Sequence, residues 1–105
     1  MSKLPFVGAI VVALVSVPAL ASQKLASQRG CMECHAKGKE IWGPSFHDIA
    51  TLYKGTQGAQ QKVQAKILTG GAEHWGNRQM PPHAPPFIPV TDAEAAQLAA
   101  WVLKQ

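Results

Sequence analysis

Two short stretches carry the residues most able to do chemistry, "CMECH" from Cys31 to His35 and "RQMPPHAPP" from Arg78 to Pro86. Cys31 and Cys34 are the only cysteines in the chain, and His35 follows the second directly. Cys-x-x-Cys-His is the attachment sequence of c-type haem. The spacing has a physical reason. Two thiols separated by two residues reach the two vinyl groups of one porphyrin and form thioethers, and the next side chain is carried under the ring, where imidazole meets iron.

Three other uses of the cysteines compete. Zinc needs four ligands. His47 lies at a finger-like gap from Cys34, but Thr51, Leu52 and Tyr53 stand where the last ligand would be. A thioredoxin-like pair belongs beside a βαβ unit, and no strand pattern is present. A disulfide across so short a loop stabilises little. Covalent haem is the expectation, through Cys31 and Cys34, with His35 as one axial ligand.

The second axial position has several candidates. Met32 is confined to the attachment loop on the His35 side, His47 is close to His35 in sequence, and His74 reads as a surface residue. Met80 is favoured because Pro81 and Pro82 follow it, fixing two φ angles and keeping Met80 out of helical geometry. His83 stays open as a rival, since imidazole binds iron well.

These residues must be positioned by a small set of helices. A weak apolar pattern runs from Ser22 to Gly30. Phe46, Ile49, Ala50 and Tyr53 share one face of a helix expected over Ser45–Lys54, with Gly55 to end it. Val63 and Ile67 lie one turn apart in a helix expected over Ala59–Leu68, which stops at Gly70-Gly71. In "VTDAEAAQLAAWVLKQ", Thr91 and Glu94 form a capping-box signature. Ala95, Leu98, Ala99 and Val102 then line one face, and Lys104 is placed to suit the helix dipole. No alternating apolar run suggests a sheet, so the domain is expected to be all-α. From Pro81 to Pro89 five of nine residues are proline, which bars helix and strand interiors; ordered loops of that length are usually functional.

The chain opens "MSKLPFVGAIVVALVSVPALAS". Lys3, an apolar run to Val17 and the small-x-small pattern Ala19-Leu20-Ala21 read as a signal peptide over residues 1–21. The run is shorter than the roughly 20 apolar residues a membrane span needs, so no stable membrane insertion is expected after cleavage. Residues 22–105 then form one domain, of a size at which an apolar core alone is marginal. The formal charge of +4 falls to +3 once Lys3 is removed. Scattered basic residues and few aromatics argue against nucleic acid.

From Arg29 to Gln105 the sequence resembles the short bacterial class I cytochromes c that donate electrons to nitrite reductase and terminal oxidases. The matching residues are "GCMECH", "GPSFHDIA", "KILTGG", "HWG", "MPP" and "VTDAEAAQLAAWVL". The resemblance implies about four helices around one covalently bound haem c, with His35 and Met80 as axial ligands. It implies a hydrogen bond from His35 to the Pro44 carbonyl, and Trp75 near a haem propionate. It also implies a periplasmic, monomeric electron carrier and not an enzyme, working between a quinol-oxidising complex and an acceptor such as nitrite reductase or a terminal oxidase. A haem enzyme or gas sensor with an open or histidine-held sixth position is the alternative. Two features depart from the pattern. Gln79 and His83 stand where proline and asparagine are usual, and "APPFIP" lengthens the link to the last helix. Phe87 and Ile88 are expected to cover the haem edge. Lys37, Lys39, Lys54 and Arg78 are expected to form a weak positive rim suited to acidic partners.

Overall fold

The computed structural model describes residues 19–105 and, before them, residues 3, 5 and 8–10. The expected signal-peptide core and most of its start lie outside the described residues. Four α-helices follow one another, α1 Ala19–Gln28, α2 Phe46–Tyr53, α3 Ala59–Thr69 and α4 Asp92–Val102, with a 3₁₀ turn at Cys31–Glu33 after α1. Among the described residues there is no strand, only the isolated bridges His35–Glu40 and Gly71–Met80. The all-α expectation holds.

Local chemistry explains the boundaries. Thr91 and Glu94 make the full capping box: the Glu94 N–H donates to Thr91 Oγ1 and the Thr91 N–H to Glu94 Oε1, both at 3.1 Å. Such a cap contributes about 1 kcal/mol. Ser45 caps α2 by accepting from the Asp48 N–H at 3.0 Å. Helix α1 begins at Ala19, three residues before the expected start, and α4 ends at Val102, so Lys104 lies just past its last turn.

Helix α4 is the centre of the packing, with α3, α1 and α2 all laid against it. Its buried face is Ala95, Leu98, Ala99, Trp101 and Val102. Leu98 is almost fully buried, and burial of such a side chain contributes about 1.5–3 kcal/mol. Ala26, Phe46, Tyr53, Val63, Ile67 and Val90 complete the core. Side chains tie the layers at their edges. Arg29 pairs with Glu94 across α1 and α4, and Gln60 donates to the Ala96 carbonyl at 2.8 Å across α3 and α4.

The proline-rich segment folds back on itself. His83 Nδ1 bonds the Ile88 carbonyl at 3.1 Å, the Phe87 N–H reaches the Ala84 carbonyl at 2.9 Å, and the Val90 N–H reaches the His83 carbonyl at 3.1 Å. Phe87 and Ile88 are 49% and 46% exposed. Ile88 lies beside Gly30, at the end of α1. The expectation that this pair covers the haem edge is not supported: neither residue lines the cavity described next.

Candidate functional site

The helices do not close completely on one another. They leave a cavity of about 360 Å³, within the usual range for small-molecule sites, about 300–1,000 Å³. Its walls include Phe46, Ile49, Tyr53, Val63, Ile67, Leu98 and Trp101. These are largely the core residues themselves, so the core is built around a space. Cys31, Cys34, His35 and Met80 all line it. Of the rival ligands, His83, His47 and Met32 do not. His83 is turned to the Ile88 carbonyl, and His47 bonds the Gln105 carbonyl at 3.1 Å through Nδ1. His74 is exposed, as expected of a surface residue, but it also borders the cavity, and its ring stands edge-on to Tyr53 with centroids 5.9 Å apart.

The attachment segment is shaped by backbone. Gly30, at φ 78°, ends the run from α1 and starts the 3₁₀ turn, a left-handed geometry that favours glycine. The turn presents both cysteines with free thiols. Burial pushes the Cys31 thiol up to about 11, so it stays protonated at neutral pH. A reactive dithiol pair has the opposite character, with a lowered thiol pKa.

His35 is held from two sides. Its Nδ1 lies 2.7 Å from the Pro44 carbonyl, as the resemblance implied. A carbonyl oxygen only accepts, so Nδ1 carries the hydrogen and the Nε2 lone pair remains free for a metal. Burial lowers the pKa of His35, the Pro44 bond opposes that shift, and nearby His83 adds to it. The neutral imidazole is the form a metal requires. Phe46 stacks on the ring at 5.2 Å and Trp101 meets Phe46 edge-on at 5.0 Å. Gly43 lies flush against the imidazole; a Cβ there would come within 2.6 Å of Cε1 and 2.9 Å of Nδ1.

Met80 is held at the cavity by a clasp on the end of α3. Gly71 and Met80 exchange both backbone hydrogen bonds. Gly70, at φ 67°, sits so close that a Cβ would strike the Met80 carbonyl oxygen and come within 2.8 Å of Pro81 C and Pro82 N. The His83 N–H adds a long contact to the Ile67 carbonyl at 3.4 Å. "GG" read from sequence only as a helix stop; its second role, as the seat of the methionine arm, had no local signal.

One stretch of the wall is polar. Lys66 Nζ lies 3.3 Å from Glu73 Oε2, and His74 Nε2 lies 3.7 Å from the same oxygen. Burial and the Glu73 charge raise the Tyr53 pKa, keeping the phenol neutral. Trp75, Arg78 and Gln79 also line the cavity. Arg78 pairs with Glu40 and donates to the Trp42 carbonyl at 3.1 Å, bridging the loop after the attachment turn to the methionine arm. Lys54, expected near the rim, lies instead beside Leu103–Gln105. The residues present suit a flat, mostly apolar ring with a metal at its centre. They offer two thiols and an imidazole on one segment, a thioether on another, apolar walls, and a polar margin for charged substituents.

Comparison with known proteins agrees with that chemistry. A family model described as cytochrome c matches residues 19–105. The chain is 42% identical over 97 residues to cytochrome c-552 of Hydrogenobacter thermophilus, covering 90% of this chain and 93% of that protein. It is 39% identical over 89 residues to cytochrome c-551 of Allochromatium vinosum, covering 85% and 90%. Among solved structures, wild-type Nitrosomonas europaea cytochrome c552 superposes with a TM-score of 0.72 at 34% identity, covering 78% of this chain and 96% of that one.

Proposed function

The chain belongs to the cytochrome c family, and we propose that it is a monohaem electron carrier with Cys31 and Cys34 as attachment residues and His35 and Met80 as axial ligands. The observation that carries this reading is the shared cavity. Two thiols, one neutral imidazole and one thioether line a single, mostly apolar space, with no other function apparent for them.

Haem c, when bound, supplies a one-electron iron couple. The chain's own residues govern how that couple behaves. Pro44 holds His35 in one tautomer and orientation, which raises the basicity of the ligating nitrogen. A neutral thioether from Met80 favours ferrous over ferric iron and so raises the reduction potential relative to two imidazoles. Both ligands sit on braced backbone, His35 through Pro44 and Gly43, Met80 through Gly70 and Gly71. Ligands that stay in place in both oxidation states keep structural rearrangement small. If His35 and Met80 both bind the iron, the protein would leave no position for a substrate there, which supports a carrier over an enzyme.

The same reading assigns residues 1–21 to a cleaved signal peptide and residues 22–105 to a monomeric periplasmic domain. It would receive electrons from a quinol-oxidising complex and pass them to a nitrite reductase or terminal oxidase. The export pattern at the start of the sequence supports the signal-peptide part of this assignment. Among the described residues no helix is long and apolar enough to cross a membrane.

Optical spectra of the purified protein in both redox states test the proposal. A long-wavelength sulphur-to-iron charge-transfer band in the oxidised form, and no carbon monoxide binding by the reduced form, are expected. A reduced form that binds carbon monoxide readily would favour a haem enzyme or gas sensor instead.

A further inference from the structure

His35 and Met80 stand on two separate segments, and each forms an isolated bridge, His35 with Glu40 and Met80 with Gly71. One side chain joins the two segments. Arg78, two residues before Met80, donates through Nη1 to the Trp42 carbonyl at 3.1 Å and pairs through Nη2 with Glu40. Among the described residues no other hydrogen bond or ion pair connects residues 31–45 with residues 70–90. We propose that Arg78 is a positioning residue, a latch that holds Met80 in place and keeps small outside ligands from the iron position it fills. The proposal rests on the electron-carrier reading above and adds how the methionine is retained.

The methionine arm has few other ties. Residues 72–79 leave the bridge at Gly71 and return to it at Met80. Among the described residues, no backbone hydrogen bond fastens any of them to the rest of the molecule. Six of these eight residues are exposed, and segments with few buried contacts and few backbone bonds are the ones that open locally. Gln79 precedes Met80 directly, so no proline ring fixes φ there. Lys66 pairs with Glu73 near the start of the excursion, but that contact only returns to α3. Arg78 is the tie at the methionine end, and it reaches the residue bridged to His35.

Its anchor is already ordered. The Ile41 N–H reaches the Gly43 carbonyl at 3.1 Å, and the Gly43 N–H reaches the Cys34 carbonyl at 2.7 Å. Trp42 lines the cavity while its side chain stays in the open at 75% exposure, so the latch uses its carbonyl and not its ring. A planar guanidinium serves a carbonyl and a carboxylate at once, which an ammonium point charge does less well. The Arg78 and Glu40 side chains are 44% and 56% exposed, and an exposed pair adds little to global stability. Its effect falls on the arm itself. Swinging the loop away to release Met80 breaks both contacts, so the latched arm opens more rarely.

Titration of the oxidised holoprotein with imidazole tests this, because imidazole competes with Met80 for the iron and abolishes the sulphur-to-iron band. Apparent affinity follows the fraction of molecules in which Met80 is released. Arg78→Gln is expected to bind imidazole about fivefold more tightly than the parent, the size such exposed contacts allow. Arg78→Lys should fall between them. Denaturant unfolding followed by circular dichroism should change little. Lys39 is exposed on the histidine segment and has no ion pair among the described residues, so Lys39→Gln removes the same charge without breaking a contact and should match the parent. An unchanged imidazole affinity in Arg78→Gln overturns the proposal and leaves the carrier reading standing. So does an equal rise in Lys39→Gln, which would make net charge the cause, or a rise that comes with a matching loss of global stability. A parent protein lacking the band overturns both readings.

Discussion

Gly71 and Met80 bond each other twice through the backbone, the Gly71 N–H to the Met80 carbonyl at 2.9 Å and the Met80 N–H to the Gly71 carbonyl at 3.0 Å. The candidate sulphur ligand is thus carried by the end of α3 as well as by its own loop. Gly70 makes the close approach feasible, because any Cβ there would meet the Met80 carbonyl oxygen.

Gly70→Ala is therefore expected to loosen the methionine arm. A left-handed backbone without glycine costs about 1–3 kcal/mol, and the clash adds to it. Gly55→Ala is the comparison, since Gly55 has φ 75° and open space around its Cβ position. Chemical denaturation should show the larger loss for Gly70→Ala. Only that variant should also weaken the sulphur-to-iron band on gentle warming.

Gly43→Ala acts on His35, the proposed imidazole ligand. The new methyl group would displace the imidazole it faces at 2.6 Å and lengthen the His35–Pro44 bond. A less basic imidazole stabilises ferric iron less, so the reduction potential should rise. A tenfold loss of that preference corresponds to about 59 mV for a one-electron couple. Voltammetry of the two proteins gives the comparison directly.

Replacing both attachment residues, Cys31→Ala with Cys34→Ala, removes the means of keeping a ring in the cavity. Phe46, Val63, Ile67 and Leu98 then face empty space, in a domain too small for an apolar core to have much margin. Circular dichroism should show a largely disordered chain with no cooperative thermal transition. A sharp melt would show that the helices pack without the cofactor.

Glu94 supplies a pH signature. Its hydrogen bond from Arg29, and then those from Thr91, hold its carboxyl below the ordinary value of 4.5. A lowered folded-state pKa means that the ionised form is favoured by folding. Its contribution to stability is complete above the unfolded-state value and disappears as pH falls through the folded-state one. Glu94→Gln should therefore be less stable than the parent at pH 7, and the gap should narrow below about pH 4.5. Denaturant titrations at several pH values measure the gap.

Much of the fold was legible in local pattern. The capping box at Thr91–Glu94 and the spacing of Phe46, Ile49 and Tyr53 located α4 and α2 to within a few residues, because capping and amphipathic periodicity are short-range. Helix α1 was placed less well; its apolar signal is weak and its start was set by the expected cleavage point. The proline-rich segment shows the limit of composition. Its prolines excluded helix and strand, yet the direction of Phe87 and Ile88 depended on hydrogen bonds among His83, Ala84 and Ile88 that no residue type announces.

The sequence by itself determined the chemistry on offer: two thiols and an imidazole at a spacing that fits one porphyrin, and a methionine stiffened by the two prolines after it. Spacing along a chain decides which groups reach the same small target, so that much can be read without coordinates. Tertiary structure alone decided which groups share a cavity. It brought Met80 onto Gly70 and Gly71, turned His83 to Ile88, drew His74 in beside Tyr53, and left Trp42 both in the wall and in the open. Those relations join residues distant in sequence through packing and backbone hydrogen bonds, and such contacts exist only once the helices have closed.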